Sequence, residues 1–298
     1  MLGIVIALLC AVVWSCAVIL LKFSGARMHP LALNLVKSLL GLPLLIATCY
    51  FFEGGIQWPK AWQHSVMLLV SGGIGIGIAD GIVLHSMRYL RASHIAILEC
   101  LFSPFVIILS VLFFDERPTP MMLVGGVFII ASLLFLKPEP REEEPGEETN
   151  GGTKLNLKRG SLFMGLGLFM MAGGIVMVKP LFAGTPLFSL VTIRMIGGVL
   201  TAFVMFLRIP YRGQQFREVF RTPHKVQLLG ACFLSSYLSI ILWIAGYKYL
   251  QATIAALLNQ TSTVFTVLLA VIFLKEKITT GKVLATVSAI IGIILLTV

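Results

Sequence analysis

Charge is scarce in this 298-residue chain. Lys, Arg, Asp and Glu make up 12% of it, where a soluble globular protein carries about a quarter. Hydrophobic residues make up 58%, and the mean hydropathy is +0.97. A soluble fold of this size has no interior large enough for that excess, whereas a bilayer accommodates it. Cysteine is sparse too. Its five copies (Cys10, Cys16, Cys49, Cys100, Cys232) stand in apolar runs without CxxC spacing, so neither a zinc site nor a disulfide framework is expected. HExxH and GxSxG are missing, and His85 and His94 have no partner at metal-ligand spacing; no metal and no catalytic constellation is expected, and the chain is not read as an enzyme. The glycine-rich SGGIGIGIADG (71–81) fits no Gly-x-Gly-x-x-Gly register. No nucleotide-binding domain is recognisable either, so neither a cofactor nor ATP hydrolysis is expected. Acidic residues are few, 13 against 23 basic, for a net charge of +10. In a soluble protein that balance would suggest nucleic acid. Here the basic residues gather between apolar runs, as topology-setting charges do, and no nucleic-acid partner is expected.

Apolar runs are what the chain has in abundance. Ten can be marked: 3–22, 31–52, 65–87, 92–114, 119–136, 161–181, 187–207, 226–247, 252–274 and 279–298. A helix needs about 20 apolar residues to span a bilayer. The N-terminal MLGIVIALLC has no basic region and stays apolar to Leu21 before meeting Lys22, which reads as a span rather than a cleaved signal. After the fifth run comes PEPREEEPGEETNGGTKLNLKRG, acidic, rich in Pro and Gly, and expected to be a solvated linker.

The two sides of that linker are related. At a shift of 160, residues 85–136 align without a gap onto 245–296, with 14 identities in 52 positions, among them Tyr89 with Tyr249, Glu116 with Glu276 and Thr119 with Thr279. Lys22 meets Lys179 at a shift of 157. An odd number of spans per half makes the second half enter from the opposite side, the arrangement of many secondary transporters. The expected fold is therefore an all-α integral membrane protein. Ten transmembrane helices form two inverted five-helix repeats, 1–137 and 160–298, joined by a flexible acidic linker, 138–159.

Several stretches carry a family resemblance: AVVWSCAVILLK (11–22), Pro30 followed by Lys37, Pro186 followed by Arg194, and the paired segments FFDERPTPMMLVGGVFIIASLLFL and FLKEKITTGKVLATVSAIIGIILL. With two halves of this length, the chain resembles the drug/metabolite transporter superfamily, in particular its EamA-like family. It departs from the family at Lys37, where Arg is more usual, and at Asp115-Glu116 and Lys275-Glu276, where Gly-Glu is common. The resemblance implies a permease that moves a small polar metabolite, such as an amino acid or its relatives, often outward. It also implies the cytoplasmic (inner) membrane of a prokaryote, and termini in the cytoplasm. The charge count argues otherwise on that last point. If the N-terminal side is A, seventeen basic residues lie near the opposite side, B, and four near A. The positive-inside rule then puts B in the cytoplasm and the termini outside, and the count is preferred because it is read from this chain.

Charged residues inside the runs are costly, about 2.5–3.5 kcal/mol each at the centre of the bilayer on the mildest scale, and they mark function or a paired structural role. Lys37, Asp80 and Glu99 are expected at one depth, Glu99 about 10 Å from side B at ~1.5 Å per residue. Two readings stand side by side: a static ion pair between helices, or a substrate and proton site. Lys37 and its counterpart Arg194 are the candidates for binding an anionic group. Trp14, Tyr237, Asn259 and Gln260 are the further candidate substrate-binding residues, and Asp80 and Glu99 are the proton-coupling candidates, with Glu99 favoured as carrier. Glu99, Ser103 and Ser110 form a polar stripe that Asn259, Thr263 and Thr266 repeat in the second half. Gly73, Gly77 and Gly81 form a face for close helix packing. The rival classes are a membrane-embedded enzyme and a membrane protein that transports nothing.

Overall fold

A computed structural model of the protein describes residues 2–24, 28–114, 119–135, 156–221, 224–250, 255 and 258–295. Among them every regular element is helical. Seven helices are long and apolar enough to cross a membrane: Leu2–Phe23, Pro30–Glu53, Trp62–Ser86, Ala92–Phe114, Leu157–Leu181, Leu187–Leu207 and Lys225–Tyr249. These are seven of the ten expected runs. The other three are shorter apolar helices over the described residues, Pro120–Leu134, Leu258–Leu274 and Thr280–Gly292. Helix is the only open-chain solution for such runs, because lipid offers no partner for backbone N–H and C=O groups.

The helices begin and end at chemical signals. The first, α1, is Leu2–Ser24 and the second, α2, is Pro30–Glu53. Pro30 supplies no N–H where none is needed, His29 Nδ1 accepts from Leu31 N at 3.3 Å, and Gly54 closes the helix at φ 71°. The eighth α-helix starts at Leu157, where Asn156 Oδ1 accepts from Arg159 N at 3.0 Å. That N-cap moves the expected end of the linker, residue 159, back by three residues. The rest of the linker and the turn around Asp115-Glu116 lie outside the described residues.

Two spans contain a π-helical stretch. The third span runs α3 (Trp62–Gly72), a π segment (Gly73–Ala79) and α4 (Asp80–Ser86). The eighth expected span runs α11 (Lys225–Phe233), a π segment (Leu234–Leu238) and α12 (Ser239–Tyr249). At a shift of 160 the second π segment falls on 74–78, inside the first. The fourth span is broken into α5 (Ala92–Glu99) and α6 (Phe102–Phe114) by a turn at Cys100 and Leu101. Pro104 is the local cause, since it has no N–H for the carbonyl of Cys100. The ninth is interrupted at Thr261, before α13 (Ser262–Leu274), and 261 is 101 plus 160.

The remaining helices are α7 (Pro120–Leu134), α8 (Leu157–Val178), α9 (Leu187–Leu207), α10 (Arg212–Arg221) and α14 (Thr280–Leu295). The halves interlock where α9 lies against α2, α3 and the first π segment. A Cβ on Gly72 would stand 1.8 Å from Arg194 O, and one on Gly197 2.0 Å from Leu69 O, so the two backbones touch. Gly73 and Gly77 meet Thr201 of α9, while Gly81 meets Leu31 of α2. The expected glycine face therefore packs against two helices. The fifth helix of each half, α7 and α14, pack on each other.

Candidate functional site

The charged residues expected to share a depth divide into two groups. Lys37, on α2, forms an ion pair with Asp80 at the start of α4, Nζ to Oδ2 at 2.5 Å. The lysine is buried, and one of the candidate anion-binding charges is thus already met from inside the protein. Glu99 ends α5 and stands apart from that pair. Its two carboxylate oxygens both accept from Trp14 Nε1, at 3.2 Å each. It is 8% exposed, and among the described ion pairs it has none.

Arg194, the counterpart of Lys37, sits in the middle of α9 and is 1% exposed. At the position equivalent to Asp80 the second half has Ile240, and among the described ion pairs Arg194 has none, though the charge of Asp80 reaches it. Its Nε donates to Ser71 Oγ at 3.0 Å, and its guanidinium lies 6.0 Å from the centre of the Trp243 ring. Nη1 is buried with no hydrogen-bond partner. A bare N–H of a buried guanidinium is a costly group that an incoming acceptor would satisfy.

The helix breaks meet each other through Gln260, whose Nε2 donates to the Glu99 carbonyl at 3.3 Å and to Ser103 Oγ at 3.1 Å. Thr263 Oγ1 donates to Ala96 O at 3.1 Å. The helices that carry the two polar stripes are thus bonded to each other near their breaks. Asn259, the counterpart of Glu99, has both amide atoms buried and without partners. Tyr237 shares a 2.8 Å hydrogen bond with Thr48 on α2.

A cavity of about 380 Å³ opens at the end of the molecule where α8 and α12 finish. Lys179, Phe182, Ala183, Tyr247, Lys248 and Leu250 are among its lining residues. Its aromatic wall continues inward: Tyr247 lies edge-on to Trp243 at 5.4 Å, and Trp243 contacts both Phe102, at 5.8 Å, and Arg194. At the same end Glu53, the last residue of α2, holds the start of α9, accepting from Phe188 N and Ser189 N at 2.8 Å each and from Ser189 Oγ. At the other end Glu276 holds the start of α5. It accepts from Ala92 N at 2.7 Å, from Ser93 N and Ser93 Oγ, and from Lys282 Nζ at 3.3 Å. Burial pushes the Glu276 carboxyl up, but the Ser93 hydroxyl, the Lys282 charge and the Ala92 N–H outweigh it and hold the group below its ordinary value. Each clamp joins one half of the chain to the other. Lys22 Nζ, also at this end, donates to the carbonyls of Met87 and Leu90 at 2.5 Å each.

Sequence reasoning did not single out several of these residues. Asn34 donates to Ile76 O and Gly77 O, at 3.0 and 2.9 Å, and so serves carbonyls of the first π segment. It is a buried amide in an apolar run, which was its available signal. Ser71, which orients Arg194, had none.

Seven apolar, membrane-length helices in a body whose described regular elements are all helical define an integral multi-pass membrane protein. A sequence model of the EamA-like transporter family matches residues 1–137 and 158–298, and the chain belongs to that family. No curated protein matches it. Of the solved structures, 27 chains match. One crystal structure superposes with a TM-score of 0.68 at 16% identity, over 98% of this chain and 94% of that one, a likeness of fold.

Proposed function

We propose that the chain is a secondary active transporter of a small polar metabolite, such as an amino acid, working by alternating access between two inverted five-helix repeats, 1–137 and 160–298. It is a permease and not an enzyme. Export, and residence in the inner membrane of a prokaryote, follow the family resemblance. The observation that carries the proposal is the pairing of irregularities. A π segment in the third helix and a break in the fourth recur 160 residues later. Interrupted spans at corresponding positions of two halves mark the binding site in inverted-repeat transporters.

A second observation supports alternation. Lys22, Met87 and Leu90 are bonded together at one end. Their counterparts at shifts of 157 and 160 are Lys179, Tyr247 and Leu250, and all three line the cavity at the other end. Equivalent residues are thus bonded together on one side and line a cavity on the other, which supports reading the structure as one of two mirror states. In the opposite state Lys179 closes on the carbonyls of Tyr247 and Leu250, and Lys22 lets go of Met87 and Leu90.

Within this scheme Lys37 and Asp80 form the structural pair. Glu99, next to Trp14 and to the break, carries the proton: among the described ion pairs it has none, and intramembrane carboxylates are the groups that form proton relays. The test is transport into liposomes with and without an imposed pH gradient. Glu99→Gln removes the effect of the gradient while substrate exchange persists. Full pH-driven accumulation by Glu99→Gln would reduce the carboxylate to a packing partner of Trp14.

A further inference from the structure

Two basic residues frame the opening of the cavity. Lys179 Nζ sits 5.3 Å from the centre of the Phe114 ring, a cation–π contact that holds the ammonium at the rim. Lys248 Nζ donates to Thr185 O at 2.6 Å. That bond uses one of the three donors of an ammonium and fixes the direction of the others. Among the described residues, the carboxylate whose charge reaches Lys248 is Glu53, and its oxygens are engaged by the amides at the start of α9. Between the lysines the walls are apolar and aromatic, with Phe182 and Tyr247 among them. Farther in, beyond Trp243, waits the Nη1 of Arg194 that has no partner.

We infer that this cavity is a first binding site for an organic anion with an apolar body, its carboxylate held by Lys248 and its body against Phe182 and Tyr247. The volume, about 380 Å³, is near the lower end of the usual range for small-molecule pockets, about 300–1,000 Å³. An anion seated here stands at the outer end of the aromatic wall that leads to Arg194, so the site captures the ligand and the arginine receives its carboxylate further along. The inference rests on the transporter reading only in treating the cavity as the mouth of the pathway. It names the charge and character of the ligand, which that reading leaves open.

The test uses Ala183→Cys, an exposed position in the cavity lining, in the purified full-length protein. Four native cysteines are buried and Cys16 is partly so, and the unsubstituted protein measures their background. Labelling by N-ethylmaleimide is followed with 3-phenylpropionate or its neutral amide as protecting probe. The acid is expected to protect at concentrations at least about tenfold lower than the amide, the size of one charge-assisted hydrogen bond. Lys248→Gln is expected to abolish that preference, and Lys248→Arg to keep it, which separates loss of charge from loss of fold. Equal protection by acid and amide, no protection by the acid, or an unchanged preference in Lys248→Gln would overturn the site. Protection is an equilibrium quantity, so the two proposals fail separately. If protection fails while Glu99 still governs pH-driven transport, only the site is lost. If protection holds and no transport occurs, the transporter reading is lost and the anion site stands.

Discussion

Removing the Glu276 carboxylate is the perturbation whose size the structure best defines. One carboxylate serves two groups: the free amides at the start of α5, through Ala92 N and Ser93, and the Lys282 ammonium. Loss of a helix cap costs about 0.5–2 kcal/mol. Breaking a buried ion pair from one side costs roughly 3–5 kcal/mol, and Lys282 is 4% exposed. The two terms share the same oxygens, so Glu276→Ala is expected to cost ~3–5 kcal/mol in all rather than their sum. Glu276→Gln can still accept from the amides but no longer carries the charge that pairs with Lys282, so it should fall at the lower end of that range, about 3 kcal/mol. The assay is thermal unfolding in detergent as a function of pH. The folded carboxyl lies below its ordinary value of 4.5, so its stabilisation is fully present above about 4.5 and is lost as pH falls through the lower, folded value. The melting temperatures of the native protein and Glu276→Ala should therefore lie well apart at neutral pH and converge in acid. A gap that is negligible at neutral pH, or that persists unchanged well below pH ~4, would refute the clamp.

Two further outcomes follow from the packing. Lys37→Ala leaves Asp80 with its carboxylate unpaired and should destabilise by about 3–5 kcal/mol, whereas Lys37→Ala with Asp80→Ala should recover most of that loss in a double-mutant cycle; a double variant no better than the single one would mean that the pair is not the source of the cost. Gly72→Ala puts a methyl 1.8 Å from Arg194 O and should cost more than the usual ~1–3 kcal/mol of overpacking, while Gly165→Ala, with nothing within 4 Å, should be neutral or slightly stabilising by thermal melt.

The membrane-spanning character was legible because it depends on composition and run length alone. The polar residues worth attention were legible for the same reason: a Lys, an Asp or a Glu stands out in an apolar run. Their partners were not. Depth along a helix can be counted at a fixed rise, but which way a side chain turns depends on how helices are set around one another. Lys37 and Asp80 were therefore placed at Glu99's depth, while only Asp80 is bonded to Lys37 and Glu99 turns to Trp14. Neither break is among the expectations, since runs 92–114 and 252–274 read as continuous; Pro104 was an available signal for the first, whereas Thr261 has no proline beside it. The π segments gave no signal beyond a run of glycines, which the second half does not share. Glu276 stood out only as the repeat match of Glu116, and Glu53 not at all, because the amides they hold belong to the other half of the chain.

Alternation of the two ends is tested most directly by pairs of spin labels read by electron–electron distance spectroscopy. One pair is placed at exposed Lys60 and Gly184, at the cavity end, and the other at Phe23 and Arg217, at the end held by Glu276 and Lys22. Distances are measured in liposomes on both sides of the protonation of Glu99, and in Glu99→Gln. The account predicts two populations for each pair that change in opposite senses, the first pair narrowing as the second widens, with Glu99→Gln fixed in one of them. A single unchanging distance for both pairs, or two distances that widen and narrow together, would contradict it.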